Sequence, residues 1–442
     1  MKKIVLVLCI VVGVVSFAVA GGQQEQGEGG AEKASLTILI NDSPWLPGFE
    51  ALVDMYRKES GAKVTLNVTP FPGMLQKARN AAQANESEFD LVNLNEGWFT
   101  QFYANGWVTP FTEIDPDFEL NENVIEYENA PRWDPEIGFS TPDGDVYGIP
   151  INGNIQLYFY RKDLLSETGM DVPDTWDEVT RFAQQVNDPP DTYGYAIRTI
   201  PGWWDFGTYI NSYGKNYIEF DTEAEAWEVN LDTEAGHKAL NTWLDLGWNY
   251  GPPNLADMGQ SQLISLMLSG KLAQIPLVGV AAEHMQNPEE SVVVDKVGAA
   301  VNPGSTPDMR ATMSGIWIMG IPHNLPEDRK GNAYDFLTWF LEKDVQQGYL
   351  EAGGVPVRRD VYAEAAGDPE QGWYLGPMAD STPYIKPVIR IKEAPQINEV
   401  LSRRLNQAVI EEITPDEALE EMAEEIHKIL VDGGHNVKPL SQ

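Results

Sequence analysis

Four short stretches carry side chains able to grip a hydroxyl-bearing molecule. Asn41, Asp42 and Trp45 follow one apolar run, and Asn95, Glu96 and Trp98 follow another. Asn152, Asn154 and Gln156 alternate after Pro150. Trp203 and Trp204 sit in a Pro-Gly stretch ahead of Asp205. Carboxylates and amides offer two hydrogen-bonding positions each to the hydroxyl edge of a sugar, and indole rings stack on its C–H faces. This is the chemistry of capture rather than of bond cleavage. Each stretch also has a bland alternative. Asp42 suits a turn cap, and Glu96 suits a solvated acid at a helix start. The three amides suit an edge strand in water. In an extended segment Trp203 and Trp204 point opposite ways, one to core and one to cleft.

Reactive chemistry has little support. With 67 acidic residues, paired carboxylates mean nothing without geometry. Such pairs would still serve the rival reading, a secreted carbohydrate-active enzyme. There is no G-x-S-x-G nucleophile elbow, no H-E-x-x-H among the five histidines, and no Walker or G-x-G-x-x-G sequence. No cofactor is indicated. Asp115, Asp117, Glu119, Asn121 and Asn123 alternate like calcium ligands, but Leu120 stands where the loop needs glycine.

The candidate stretches need elements that present them. Leu36 to Ile40 is a short β-branched run ending at Asn41-Asp42-Ser43-Pro44, a strand entering a turn. Phe49, Leu52, Val53 and Tyr56 have helical spacing, and Gly61 ends that helix. Lys63 to Val68 reads as a strand, Phe71 to Ala84 as a helix, and Phe89 to Leu94 as a third strand. Alternation of this kind implies an α/β lobe with a largely parallel sheet, whose ligands bind beyond the carboxyl ends of the strands. Both Asn41–Trp45 and Asn95–Trp98 lie there. A second series follows: strands at Asn154–Tyr160, Tyr193–Arg198, Leu272–Pro276 and Thr312–Ile321, with helices at Asp257–Ser269, Gly331–Leu341 and Thr414–Leu430. Asp174 or Thr175 caps a further helix, and Pro415 suits a first turn.

The first residues read as an export signal. Lys2 and Lys3 precede an apolar run to Phe17, and Ala18-Val19-Ala20 is a small-x-small cleavage site. Residues 1–20 are therefore expected to be removed, and residues 21–34 to form a flexible leader. The only cysteine, Cys9, lies inside the apolar run, which disfavours a lipid anchor and rules out an internal disulfide. A formal charge of −37 argues against nucleic acid and anionic membrane as partners. A soluble monomer outside the cytoplasm, periplasmic or extracellular, is expected.

Four segments resemble the family 1 extracellular solute-binding proteins of ABC transporters, the group that contains maltose-binding protein. Phe89 to Phe111 (FDLVNLNEGWFTQFYANGWVTPF) is similar to the family's strand, binding loop and helix. Tyr147 to Val179 (YGIPINGNIQLYFYRKDLLSETGMDVPDTWDEV) carries its Tyr-Asn-Lys-Asp and Pro-x-Thr-Trp elements, with Arg161 where asparagine is usual. Leu266 to Val280 and Gly315 to Pro356 follow in the family's order. The resemblance runs from about Leu36 to Leu430. It implies a bilobed periplasmic-binding-protein-like α/β fold (type II), with one lobe from residues 35–148 and 297–345 and the other from 149–296 and 346–442. It implies a small polar ligand, a mono- or oligosaccharide, held between lobes that close on a hinge, and membrane permease subunits as partners. It adds Gly279, Ser314, Gly315 and Trp317 to the candidate site, with Trp317 equally suited to core; Tyr384 is a further aromatic candidate. Replacing Glu96 with alanine is expected to weaken binding about tenfold to a hundredfold without unfolding the chain.

Overall fold

Leu36, Ile38, Leu39 and Ile40 are all fully buried. A strand apolar on both faces belongs in the middle of a covered parallel sheet. This strand, β1 (Ser35–Asn41), does lie there: it pairs in parallel with β2 (Lys63–Thr69) on one side and β3 (Leu91–Asn95) on the other. The computed structural model describes residues 34–368 and 371–440. The expected export signal, and the leader as far as residue 33, lie outside the described residues.

Helices α1 (Leu46–Ser60) and α2 (Phe71–Gln83) link these strands, and α3 (Phe99–Ala104) follows β3. Gly61, at φ 70°, accepts the left-handed turn that stops α1. Two more strands complete the sheet, β4 (Ile149–Asn152) and, much later in the chain, β10 (Trp317–Gly320). The order is β2-β1-β3-β10-β4, with β10 antiparallel to both neighbours. Strands β1 to β4 therefore all run one way and β10 alone runs against them, so the largely parallel expectation holds with a single reversed strand.

The second sheet is small and antiparallel. Its centre is β5 (Gln156–Arg161), flanked by β8 (Gln274–Val278) and β9 (Val297–Ala300). Around it pack α4 (Trp176–Val186), α5 (Gly202–Ser212), the hairpin β6 (Ile218–Asp221) and β7 (Ala226–Val229), α6 (Glu234–Tyr250), α7 (Ala394–Val409) and α8 (Pro415–Asp432). Thr175 caps α4 by accepting from the Glu178 amide. Thr414 and Glu417 cap α8 reciprocally. The core of this lobe is aromatic: Trp176 stacks on Tyr209 at 4.3 Å.

Strand pairing shifts two of the expected lobe limits. Residues 149–152 pair in the first sheet and 297–300 in the second. Each had been expected with the other lobe. Tyr193–Arg198 is extended but is no strand. Its backbone is spent elsewhere, with Tyr193 bridging Leu272 and the Arg198 amide donating to Asp205.

Three segments pass between the sheets and lie side by side. Ile155 bridges Ser314, and Thr312–Met313 pairs in parallel with Ile385–Lys386. No helix among the described residues is long and apolar enough to cross a membrane.

Candidate functional site

The carboxyl end of the first sheet brings three candidate stretches into register. Trp317 on β10 faces Asn95 on one side and Asn152 on the other. The Asn95 carboxamide oxygen accepts from the Gly97 amide at 3.1 Å, which folds residues 95–98 into a tight turn. Asn41 closes β1 next door, its amide donating to the Asn93 side chain at 3.3 Å. Asp42, just beyond it, is exposed.

Three rings pack around Trp317. Trp45 lies 6.3 Å away, Trp98 stands edge-on at 5.9 Å, and Phe71 edge-on at 6.1 Å. Phe71 also tilts onto Trp98 at 4.9 Å. Trp45 is fully buried, while Phe71 is 41% exposed, so the cluster grades from core to surface and offers an aromatic wall at its open end. Trp317 is thus both core and wall, and Trp45 is core.

Polar atoms with no hydrogen-bond partner among the described residues collect at the same place. They are the Asn41 Oδ1, the Glu96 Oε2, both amide atoms of Asn152, and the Asn398 Oδ1. All four residues are less than a tenth exposed. Buried polar groups are nearly always paired, because leaving one unpaired costs about 1–3 kcal/mol. Gathered at one sheet end, these atoms leave hydrogen-bonding capacity there unused.

Glu96 is neither a solvated helix-start acid nor a free ligand carboxylate. Its Oε1 accepts from the Ser314 hydroxyl at 2.6 Å and from Arg390 Nη2 at 2.7 Å. The ion pair is buried, with side chains 2% and 4% exposed. Only Oε2 remains for a ligand. Glu96 thereby ties the 95–98 turn to Ser314 on one crossing segment and to Arg390 just beyond another. Glu96→Ala, expected to weaken binding without unfolding the chain, therefore also removes one partner of a buried ion pair.

The three alternating amides part company. Strand β4 ends at Asn152 and β5 begins at Gln156, so no single face carries all three. The Asn154 Oδ1 accepts from the Val280 amide at 3.3 Å, and its carbonyl accepts from Gly315 at 2.8 Å. Gln156 is spent inside the second lobe, accepting from Asn302 at 3.0 Å and from Thr208, and donating to Asp205 at 3.3 Å. Asn152 alone is free. None of the three lies on an edge strand in water, since all are buried.

Trp203 and Trp204 occupy the first turn of α5, so the opposite-facing rule for an extended pair does not apply. Both are buried, and Trp203 faces the other lobe. A Cβ built on Gly97 would lie 3.8 Å from the Trp203 ring, and 3.1 Å from the amide nitrogen of Asn398. Trp204 is pinned at the crossing segments: its indole N–H donates to the Ser314 carbonyl at 2.8 Å, and the Arg198 guanidinium lies 4.8 Å from its ring. Trp203 is the nearer of the two to the 95–98 turn. The Gly279 amide donates to the Ile155 carbonyl at 2.8 Å, and the side chain that approaches it is Met378. Tyr384 is half-buried in the short turn Thr382–Tyr384.

Arg390, Asn398 and Phe71 escaped the sequence reading. A lone arginine between Val388-Ile389 and Ile391 was a usable signal, because a charge set in an apolar run asks for a partner. Asp205, by contrast, is buried structure. It accepts from the Trp243 indole at 2.7 Å and the Arg198 amide at 3.0 Å, and burial pushes its carboxyl up to about 6.

Comparison with known proteins agrees with this architecture. Residues 42–347 match the bacterial extracellular solute-binding protein family. The mannitol-binding protein of Pseudomonas aeruginosa is 26% identical over 290 residues; the match spans 63% of each chain, under two thirds of that relative. Among solved structures, an ABC-transporter solute-binding protein from Agrobacterium radiobacter in complex with ribitol superposes with TM-score 0.75. It is 22% identical, over 90% of this chain and 98% of that one. Maltose-bound MalE3 of T. maritima gives TM-score 0.77 at 21% identity, over 90% and 100%. A two-lobed α/β fold is common to them, and with more than half its length matched the chain belongs to the bacterial extracellular solute-binding protein family.

Proposed function

We propose that the chain captures a small neutral polyhydroxylated molecule, a sugar or polyol, between its lobes and delivers it to the membrane permease of an ABC importer. The observation that carries this reading is the set of buried, unpartnered polar atoms beside the Phe71–Trp98–Trp317 wall. Hydroxyls satisfy the first and C–H faces fit the second. The mannitol of one relative, and the ribitol and maltose bound in similar structures, support the same class.

In this reading the first lobe contributes Asn41, Glu96 Oε2, Trp98, Asn152 and Trp317, and the second contributes Trp203 and Asn398. The first lobe is built on β1–β4 and β10, the second on β5–β9, and the three crossing segments act as the hinge. Export by a signal at 1–20 and a monomeric mature chain complete the proposal. Calorimetric titration with mannitol, ribitol and maltose, with product analysis of the same mixtures, tests it. Saturable binding without turnover supports a receptor. Turnover, or no binding to any of the three, overturns it.

A further inference from the structure

Beside the cleft lies a second concavity that the proposed function does not use. The β6–β7 hairpin sets Phe220 directly opposite Trp227, with rings 5.3 Å apart. Phe139, from a loop of the first lobe, meets Trp227 edge-on at 5.8 Å. These rings wall a groove of about 220 Å³ that residues 387–390 close from behind. Phe220 is 46% exposed, so its ring is open to a guest.

The groove also has polar atoms waiting for partners. Ser140 is 5% exposed, and its hydroxyl has no hydrogen-bond partner among the described residues. Arg390 is 6% exposed and its Nε is in the same condition. Arg390 divides the two concavities: Nη2 is committed to Glu96 in the cleft, while Nε is uncommitted. The opposite rim is built from backbone that side chains rarely adopt. Tyr127, Glu128 and Asn129 stand in succession at φ 46°, 60° and 63°. That turn hands the Glu128 carbonyl to Arg390 and sets Glu128 and Asn129 along the groove.

We propose that this groove is a second binding site, for a single neutral hydroxylated ring of monosaccharide size. Aromatic walls suit the C–H faces of such a ring, and a hydroxyl, a guanidinium N–H and an amide suit its edge. Arg390 is already balanced by Glu96, and the Glu128 carboxylate on the rim selects against an anionic guest. The volume lies below the range of about 300–1,000 Å³ usual for drug-sized ligands, which favours one ring over an oligomer.

The test is titration of the full mature chain with glucose, followed by calorimetry and saturation-transfer NMR. Two groove variants, Phe220→Ala and Ser140→Ala, and one cleft variant, Phe71→Ala, are titrated beside it. The expected result is glucose binding in the native chain that weakens about tenfold in Phe220→Ala, weakens also in Ser140→Ala, and is retained in Phe71→Ala. Glucose binding indifferent to both groove substitutions overturns the groove and leaves the cleft reading standing. Absence of glucose binding by either method overturns the groove too, and the cleft is then judged by its own titration with mannitol, ribitol and maltose.

Discussion

Replacing Glu96 with alanine should damage stability and affinity together, and a second substitution should separate them. The structure sets the size of each effect. Glu96 and Arg390 form an ion pair at 2.7 Å with side chains 2% and 4% exposed, so solvent screening does little to soften its loss. Removing the carboxylate strands a buried guanidinium, at a cost of about 3–5 kcal/mol. It also leaves the Ser314 hydroxyl without its 2.6 Å acceptor. Affinity should fall separately on the proposed reading, because Oε2 is the one carboxylate oxygen without a partner. A hydrogen bond to a charged group contributes about 1.5–3 kcal/mol, so a tenfold to hundredfold loss follows. Adding Arg390→Met to Glu96→Ala removes the stranded charge and should restore most of the stability while leaving affinity low. Urea denaturation and calorimetric titration of the native chain, the two single variants and the double variant measure both quantities. A Glu96→Ala variant as stable as the native chain would refute the structural role of the pair. A double variant with native affinity would refute the ligand role of Oε2.

Four further outcomes are expected. Phe71→Ala should weaken ligand binding about threefold to tenfold by titration, with the melting temperature nearly unchanged, because its ring is 41% exposed and lost stacking is the main effect. Asn152→Ala should lower affinity more than stability, since neither amide atom has a partner to lose. Gln156→Ala should do the reverse, costing about 1–3 kcal/mol in denaturation and leaving affinity alone, because it strands Asn302, Thr208 and Asp205. Asp205 should give the second lobe an acid-side stability slope. Its carboxyl stands at about 6 in the folded chain against 3.8 when unperturbed, so the folded state holds the proton more tightly. The stabilisation is full below 3.8 and lost as pH rises through about 6, a change of about 3 kcal/mol from this one group. Denaturation series across that window should show the slope in the native chain and not in Asp205→Asn.

How much of this was legible depended on whether the deciding interaction was local. The β1 strand was readable because burial on both faces leaves an unbroken apolar run. The Thr175 and Thr414 caps were readable because their partners lie three residues on. The loops after β1 and β3 were readable because parallel sheets deliver loops to one edge. Other features depended on distant partners. Glu96 and Arg390 are 294 residues apart, and no spacing rule joins them. Gln156 reads like Asn152 in sequence, and only the break between β4 and β5 sends one to the core and leaves the other at the sheet end. Trp203 and Trp204 were misjudged because Pro201 and Gly202 read as a loop, whereas Pro201 stands at the N-cap of a helix.

On the proposed reading, the unpartnered atoms would also couple ligand capture to closure. Water can satisfy Asn41, Asn152, Asn398 and Glu96 Oε2 when the lobes stand apart, whereas lobes brought together exclude it. Closing without a ligand then leaves several buried groups unpaired at about 1–3 kcal/mol each. Closing on a hydroxyl-rich ligand pairs them, and a ligand shifts a conformational equilibrium only by its differential affinity for the two states. An apolar molecule of the same size would fill the space, leave the same groups unpaired and gain nothing from closure. Discrimination therefore arises as much from the penalty on the wrong guest as from the fit of the right one. Glu96 Oε1 stands outside this exchange. Ser314 and Arg390 already hold it, which ties the 95–98 turn to the crossing segments. On the proposed reading, ligand binding would then recruit only the second lobe, through Trp203 and Asn398.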